Sequence, residues 1–354
     1  MRLKVLGALL LAAVAVGHAP MGSAAGKFVF ASSGGSFQEA QNTAYVKPFA
    51  QKEGLELVND SGVTIAQLKA AVLAKSVKWD VIEFTEADYF LLVKEDLIEP
   101  IDYSQFDAET LAAIDEKFRL KHGVIAVLYC YAIAYRTDLG RTDHPKNWAE
   151  FWDTKKFPGP RALPSGNAYN PPWTSALLAD GVPPDKLYPL DFKRAAASLS
   201  KIKDSVKVWY TETAGGIQAI VSGEVDYASA PTGRIIAARA QGAKIDIDYG
   251  QALRYADYFV VPKGAPNKAA AMKFIAYASR AEPAAAMMKL QPNSAPNTAA
   301  LKLLDPALAA MLPTAPGNLP KEVANNPTFY GEDSGNGQTW KQIGLKTWNE
   351  WYGR

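Results

Sequence analysis

The stretch GVIAVLYCYAIAYR, residues 123–136, decides how this chain folds. It is almost entirely apolar, which is typical of a buried β-strand. At about 3.3 Å per residue, such a strand would reach beyond the sheet of a single domain. Together with a second apolar run, DYFVVP (257–262), it predicts a pair of strands that cross between two lobes. Two ordinary central strands would also produce this pattern.

Other short apolar runs predict further strands, and helical stretches lie between most of them. The chain length of 354 residues favours two domains. In TIAQLKAAVLAKS, apolar residues recur at helical spacing. The alternation of strands and helices predicts an α/β fold with largely parallel sheets. The remaining predicted strands are KFVFAS (27–32), LELVND (55–60), WDVIEF (79–84), RALPS (161–165), VKVWYT (206–211) and VDYASA (225–230).

The first 25 residues have the pattern of a secretory signal peptide. Arg2 and Lys4 precede an apolar stretch, which is followed by the small residues GSAAG. The apolar stretch is shorter than the ~20 residues that a membrane-spanning helix needs. Removing residues 1–25 takes away two basic residues and no acid, so the net charge falls from +2 to 0. A neutral exported protein argues against nucleic acid and against anionic membranes as partners.

The sequence offers little for catalysis or metal binding. Cys130 is the only cysteine, and His122 and His144 are the only histidines after the signal segment. These are too few for most zinc sites or for an obvious catalytic triad. None of the hydrolase, metalloprotease or nucleotide-binding motifs occurs. We therefore predict a protein that is not an enzyme and that needs no metal and no cofactor.

Three glycine-containing turns each follow a predicted strand and open a predicted helix. They are SSGGSF (32–37), TETAGGIQAI (211–220) and APTGRII (230–236). In open α/β sheets, ligands bind where strand ends meet helix N-termini. Each turn alone also fits a plain strand-to-helix connection capped by Ser36 or Thr213. Three such turns in one chain favour a ligand-binding cleft.

Acidic and aromatic residues cluster at the same strand ends. Carboxylates could bind an ammonium group, and aromatic faces add cation–π contacts worth ~0.5–2 kcal/mol. Surface acids beside core aromatics would give the same pattern. The predicted ligand-binding residues are Ser33, Gly35, Phe37, Glu86, Ser165, Tyr169, Trp173, Tyr210, Glu212, Thr232, Tyr255 and Asp257.

Several segments, in their order and spacing, resemble the extracellular solute-binding proteins of ABC uptake systems, most closely the spermidine/putrescine-binding branch. The resemblance implies two α/β lobes joined by a hinge, the type II periplasmic-binding-protein architecture, with the ligand held in the cleft between them. The segments are WDVIEF followed by DLIEPID, GVIAVLYCYAIAYRTD, NWAEFWDTKKFPGPRAL, SGEVDYASAPTGR and RYADYFVVPKGAPNKAAAMKFIAYASR.

The resemblance also implies where a ligand would bind. Hinge strands are expected near residues 134–136 and 255–259. Tyr255 and Asp257 occupy the positions of an aromatic residue and an acid that grip the amine in the polyamine branch, and Glu86 lies at another ligand-facing position. Pro231-Thr232 stands where that branch has a tryptophan, and SGNAYN (165–170) contains no acid. A dicationic polyamine and a shorter zwitterion, such as an amino acid or a GABA-like ω-amino acid, both stay open.

We therefore predict a monomeric periplasmic receptor that carries a small amine-bearing solute to an ABC permease. The predicted division is a signal peptide (1–25), one lobe of residues 26–134 plus 259–300, and a second of residues 135–258 plus 301–354. Two alternatives stay open. One is a thiaminase-like secreted transferase that uses Cys130, and the other is a ferric or small-anion binder that uses Tyr129 and Tyr131.

Overall fold

The computed structural model describes residues 26–166 and 171–353. Nine strands in these residues form one mixed sheet. The predicted strands form, and most of their ends differ by only a few residues from the prediction. The strand predicted at 257–262 instead begins at Ile245 and ends at Val260. The strands are β1 (Lys27–Ser32), β2 (Glu56–Ser61), β3 (Val81–Thr85), β4 (Val124–Arg136), β5 (Arg161–Pro164), β6 (Val206–Tyr210), β7 (Tyr227–Pro231), β8 (Ile245–Val260) and β9 (Val323–Ala324).

Helices connect the strands and cover the sheet, and several begin at a side-chain cap. Thr64 and Thr339 each form a capping box with the glutamine three residues later. A short π-helical segment, Asn42–Val46, separates the first two helices. The helices are α1 (Gly35–Gln41), α2 (Lys47–Lys52), α3 (Ile65–Leu73), α4 (Glu86–Lys94), α5 (Ala108–Ala113), α6 (Trp148–Trp152), α7 (Pro171–Ala179), α8 (Phe192–Ile202), α9 (Thr213–Val221), α10 (Thr232–Ala240), α11 (Lys268–Ala278), α12 (Ala281–Leu290), α13 (Pro306–Met311) and α14 (Trp340–Tyr352).

The two long strands, β4 and β8, lie side by side in the middle of the sheet. The strand order is β2-β1-β3-β8-β4-β7-β5-β6, with β9 also paired to β8. On either side of the long pair the strands run parallel, as the α/β pattern predicts. The long strands themselves are antiparallel to each other and to β3 and β7. The crossing pair predicted from the sequence therefore exists and joins two α/β lobes.

The buried hydrophobic side chains separate into clusters on either side of this pair. One side packs β1, β3, α2 and α11, with Phe28, Phe49 and Phe274 at its centre. The other packs β5, α7, α8 and α14, with Trp173 and Trp348 fully enclosed. A smaller cluster joins Ile236, Met288 and Leu312, and Met287 belongs to the first cluster, so residues 281–312 contact both sides. The lobe boundaries stay a prediction.

Two further properties concern possible partners. None of the helices in residues 26–166 and 171–353 is both long and apolar enough to cross a membrane. Within the same residues, no group of three or more histidine, cysteine, aspartate or glutamate side chains is arranged to hold a metal ion.

Candidate functional site

A cavity of about 620 Å³ lies beside the two long strands, where ends of strands from both lobes meet. Its walls come from α1, the β3–α4 turn, β4, the first turn of α9, the β7–α10 turn, β8 and the C-terminal segment. The lining residues are Ser36, Phe37, Thr85, Glu86, Ala87, Asp88, Val127, Tyr129, Tyr131, Thr213, Pro231, Gly233, Arg234, Ala237, Tyr255, Asp257, Gln291, Asn293, Asn325, Tyr330 and Lys341.

The β3–α4 turn brings one carboxylate into the wall. Thr85 caps helix α4 by accepting a hydrogen bond from the backbone N–H of Asp88, which places Glu86 at the first helical position. Asn325 Nδ2 donates to Glu86 Oε2 at 3.3 Å. Burial raises the pKa of Glu86 to about 7. This carboxyl group therefore changes charge near neutral pH.

Asp257 supplies a second carboxylate, directly opposite Thr85 in the β3–β8 ladder. Its Oδ1 atom is enclosed and has no hydrogen-bond partner among the residues that the structure describes. Burial raises the pKa of Asp257 well above its usual value, and the nearby acids Glu83, Glu86 and Asp88 raise it further. An enclosed acceptor without a donor is costly unless another group satisfies it. Because Asp257 lines the cavity, a donor group on a ligand can do so.

Aromatic rings form the wall next to Asp257. Tyr129 and Tyr255 stack with their ring centroids 5.9 Å apart and 23° between the ring planes. Tyr131 meets Tyr255 edge-on at 5.8 Å. These rings and that of Tyr330 line the cavity. Ring faces beside a carboxylate suit a small organic cation.

Basic groups lie in the same lining. Arg234 is exposed in the first turn of α10, and Lys341 is exposed in the first turn of α14. Neither side chain makes a hydrogen bond or an ion pair with another side chain in the described ranges. The cavity therefore offers both signs of charge to a ligand.

Residues 44–317 match the sequence profile of the family described as "Bacterial extracellular solute-binding protein". The chain belongs to this family of bacterial extracellular solute-binding proteins. It is 34% identical over 306 residues to a gamma-aminobutyric acid-binding protein of Pseudomonas aeruginosa PAO1, covering 84% of this chain and 85% of that one.

Two solved structures share the fold over most of their length. The Atu4243–GABA receptor structure superposes with a TM-score of 0.79 and is 33% identical, covering 92% of this chain and 96% of its own. The binding protein AgtB of A. tumefaciens R10, solved with agropinic acid, gives a TM-score of 0.67 at 37% identity and covers 93% and 95%. The predicted family and the role of a solute receptor are thereby confirmed.

The structure of this solute-binding protein brings four of the predicted site residues into the cavity lining. They are Phe37, Glu86, Tyr255 and Asp257. Tyr169 lies outside the described residues. Glu212 is exposed at the N-cap of α9, next to the lining residue Thr213. The other predicted residues, Ser33, Gly35, Ser165, Trp173, Tyr210 and Thr232, are not part of the lining.

Those residues make contacts elsewhere. Trp173 packs edge-on against Trp348 at 5.7 Å in the core. The hydroxyl of Tyr210 donates to the Ser229 carbonyl at 2.6 Å. Thr232 Oγ1 accepts from the backbone N–H of Cys130 at 3.2 Å.

The remaining predicted positions are Ser33, Gly35 and Ser165. Gly35 borders a separate surface groove, and Ser33 is exposed. Ser165 is buried, and its backbone N–H donates to the Tyr210 carbonyl. As ligand-binding residues these positions stay predictions without support from the cavity.

Several lining residues could not be identified from the sequence alone. Arg234 lies within the quoted turn APTGRII, so its position after β7 carried a signal. Asn325, Tyr330 and Lys341 come from a segment with no recognisable binding pattern. Asn325 reaches the cavity because β9 pairs with β8, so that Ala324 lies beside Arg254. This is a long-range contact that no local pattern reveals.

Neither alternative function gains support. Cys130 has no exposed surface, and burial raises the pKa of its thiol well above the usual value, which opposes formation of a nucleophilic thiolate. Tyr129 and Tyr131 do line the cavity, but their stacking around Tyr255 presents an aromatic wall. The relatives described above are solute-binding proteins.

Proposed function

We propose that this protein binds a short zwitterion with an ammonium group at one end and a carboxylate at the other, with GABA as the representative. The observation that carries the proposal is the enclosed, unpartnered Oδ1 of Asp257 in the same cavity as Arg234. The ammonium group would donate to Asp257 and Glu86 and rest against Tyr255. The carboxylate would pair with the guanidinium of Arg234.

The charges of the lining distinguish a zwitterion from a dication. A polyamine such as putrescine needs an acceptor at each end, and Arg234 and Lys341 would repel its second ammonium group. A simple carboxylate would leave Asp257 without a donor. The relatives named for GABA binding support the same ligand class.

Ligand binding would be coupled to closure of the two lobes. The ligand shifts the protein toward the closed form only by its higher affinity for that form. Contacts that reach across the cavity, with Glu86 from the first predicted lobe and Arg234 from the second, would provide such a difference because both form only when the lobes approach. The closed, monomeric protein would then deliver the solute to an ABC permease from the periplasm.

Isothermal titration calorimetry tests the proposal with three four-carbon compounds. The protein is first unfolded and refolded to remove any solute carried from its host, and mass spectrometry under native conditions verifies that it is empty. GABA should bind, whereas butyrate lacks the ammonium group and putrescine lacks the carboxylate, so both should bind at least 100-fold more weakly. Tighter binding of putrescine than of GABA would instead establish a polyamine receptor, and absence of binding to GABA would reject the proposal.

A further inference from the structure

Glu83 lies behind the cavity wall, close to Asp257. In the antiparallel pair of β3 and β8, Thr85 is opposite Asp257 and Glu83 is opposite Phe259. Side chains two residues apart on a strand share a face, so Glu83 and Asp257 are diagonal neighbours on one face, with Cα atoms roughly 7–8 Å apart. Glu83 is not part of the cavity lining. It therefore acts on a ligand only through Asp257.

The hydrogen bonds of Glu83 leave one oxygen free. Ser32 Oγ and Gln41 Nε2 both donate to Glu83 Oε2, the latter at 2.8 Å. Glu83 Oε1 is enclosed without a hydrogen-bond partner in the described part of the chain, like Asp257 Oδ1. Glu83 Oε1 and Asp257 Oδ1 are thus two enclosed acceptors without a donor, on side chains that share one face of the β3–β8 pair.

No basic residue in the described ranges forms an ion pair with either carboxyl group. Glu86 and Asp88 from α4 are the titratable neighbours that raise the pKa of Asp257. Tyr45 from the π-helical segment is the titratable neighbour of Glu83, and its pKa is raised by burial and by the charge of Glu83. Two carboxylates in such surroundings cannot both be ionised without strong repulsion.

We propose that Glu83 and Asp257 share one proton in the empty cleft and that the ammonium group of a bound ligand displaces it. The ammonium N–H then donates to the carboxylate of Asp257, and the displaced proton leaves to bulk water, so charge is conserved. Glu83 is then a positioning residue that sets the charge of Asp257. The ligand part of this inference rests on the proposed function.

The pKa directions agree with this arrangement. Burial raises the pKa of Glu83 to about 7, and that of Asp257 is raised well above its usual value by burial and then by the charge of Glu83. Release of one proton on binding makes the affinity increase about tenfold per pH unit where the empty pair holds the proton. The pair titrates as a unit.

Carbon-13 NMR of the side-chain carboxyl groups in the ligand-free protein tests the shared proton directly. Wild type is compared with Glu83→Gln, in which the amide keeps an oxygen for the Ser32 and Gln41 donors. The control is Glu56→Gln, an exposed glutamate on β2. The titration midpoint of Asp257 should fall by at least one pH unit in Glu83→Gln and stay constant in the control. An unchanged midpoint would overturn the proposal, because burial alone would then account for it.

The reciprocal variant Asp257→Asn tests the same pairing through Glu83, whose titration midpoint should fall. This variant replaces Glu83→Gln if Glu83→Gln does not fold. Calorimetry with GABA at pH 7 in buffers of different ionisation heat then counts the released protons. Wild type should release close to one proton and Glu83→Gln less than half as many. If GABA does not bind, the proposed function fails while NMR still decides the shared proton. If GABA binds without proton release, the displacement is wrong.

Discussion

Tyr129 and Tyr255 face each other across the two long strands as directly paired residues, with their rings stacked at 5.9 Å. Both rings lie in the wall of the cavity. The strands that join the lobes therefore also form part of the cavity wall. A ligand that touches this wall contacts the part of the molecule about which the lobes would move.

Replacing Tyr255 tests whether the ring or its hydroxyl group matters. Tyr255→Ala should weaken GABA binding by about 1–2 kcal/mol, because it removes the cation–π face and loosens the stack with Tyr129. Tyr255→Phe keeps the face and should bind within threefold of wild type. Calorimetry measures both. Equal losses in the two variants would assign the effect to the hydroxyl group.

Replacing Asp257 tests the charge that meets the ammonium group. Asp257→Asn keeps the size of the side chain but removes its negative charge, so GABA affinity should fall by about 1.5–3 kcal/mol, the scale of a charge-assisted hydrogen bond. Glu109→Gln, at an exposed acid in the first turn of α5, is the control and should leave affinity unchanged. Wild-type affinity in Asp257→Asn would remove this residue from the site.

Arg234 has a matched control on its own helix. Arg234→Gln should weaken GABA binding about 10- to 100-fold because the ligand carboxylate loses its ionic partner. Arg239→Gln lies five residues later, outside the lining, and breaks the ion pair with Asp246 and a contact with Met311 Sδ. It should bind GABA like wild type. If the two variants lose affinity equally, general electrostatic attraction and not a specific contact explains the effect.

The fold could be predicted where the local signal was uniform. The apolar run that became β4 was placed within one residue because nothing polar interrupts it. Residues 245–256 of β8 were not predicted, because Asp246, Asp248 and Gly250 break the apolar pattern. The structure accommodates the acids by pairing: Asp248 contacts His144 at 3.0 Å.

The candidate site was only partly predictable for a similar reason. Tyr255 and Asp257 are consecutive same-face residues of one strand, so a local pattern reveals both. Arg234 and Asn325 enter the cavity from other elements, and their approach depends on how the lobes pack. An aromatic residue after a strand, such as Trp173, has the same sequence pattern whether it faces a ligand or the core.

A substitution at Trp173 therefore tests whether this residue packs in the core or binds the ligand. Its ring is enclosed between Trp348 and Phe192. Trp173→Phe should lower the free energy of unfolding by about 1–3 kcal/mol through lost packing. GABA affinity should stay within twofold of wild type. Urea unfolding and calorimetry report the two quantities independently, and a tenfold loss of affinity with unchanged stability would restore Trp173 to the binding site.

The pH dependence of stability tests the burial of Glu86. Its pKa is raised from 4.5 to about 7, so between these values the native state binds more protons than the unfolded chain. The contribution of Glu86 to the free energy of unfolding therefore decreases as pH rises through this window and is constant above it. At low pH the group is protonated in both states and costs nothing.

Glu86→Gln removes this cost while the amide keeps an oxygen for the Asn325 donor. Urea unfolding of the empty protein should give equal stabilities for variant and wild type near pH 4, with the variant about 1–3 kcal/mol more stable at pH 8. Glu109→Gln again serves as the control, since Glu109 has the same first-turn location but is exposed. If the difference in stability between Glu86→Gln and wild type were the same at all pH values, the carboxyl group of Glu86 would have the same pKa in the folded and unfolded chains. The cavity wall at Glu86 would then be more open to water than the contacts of this residue indicate.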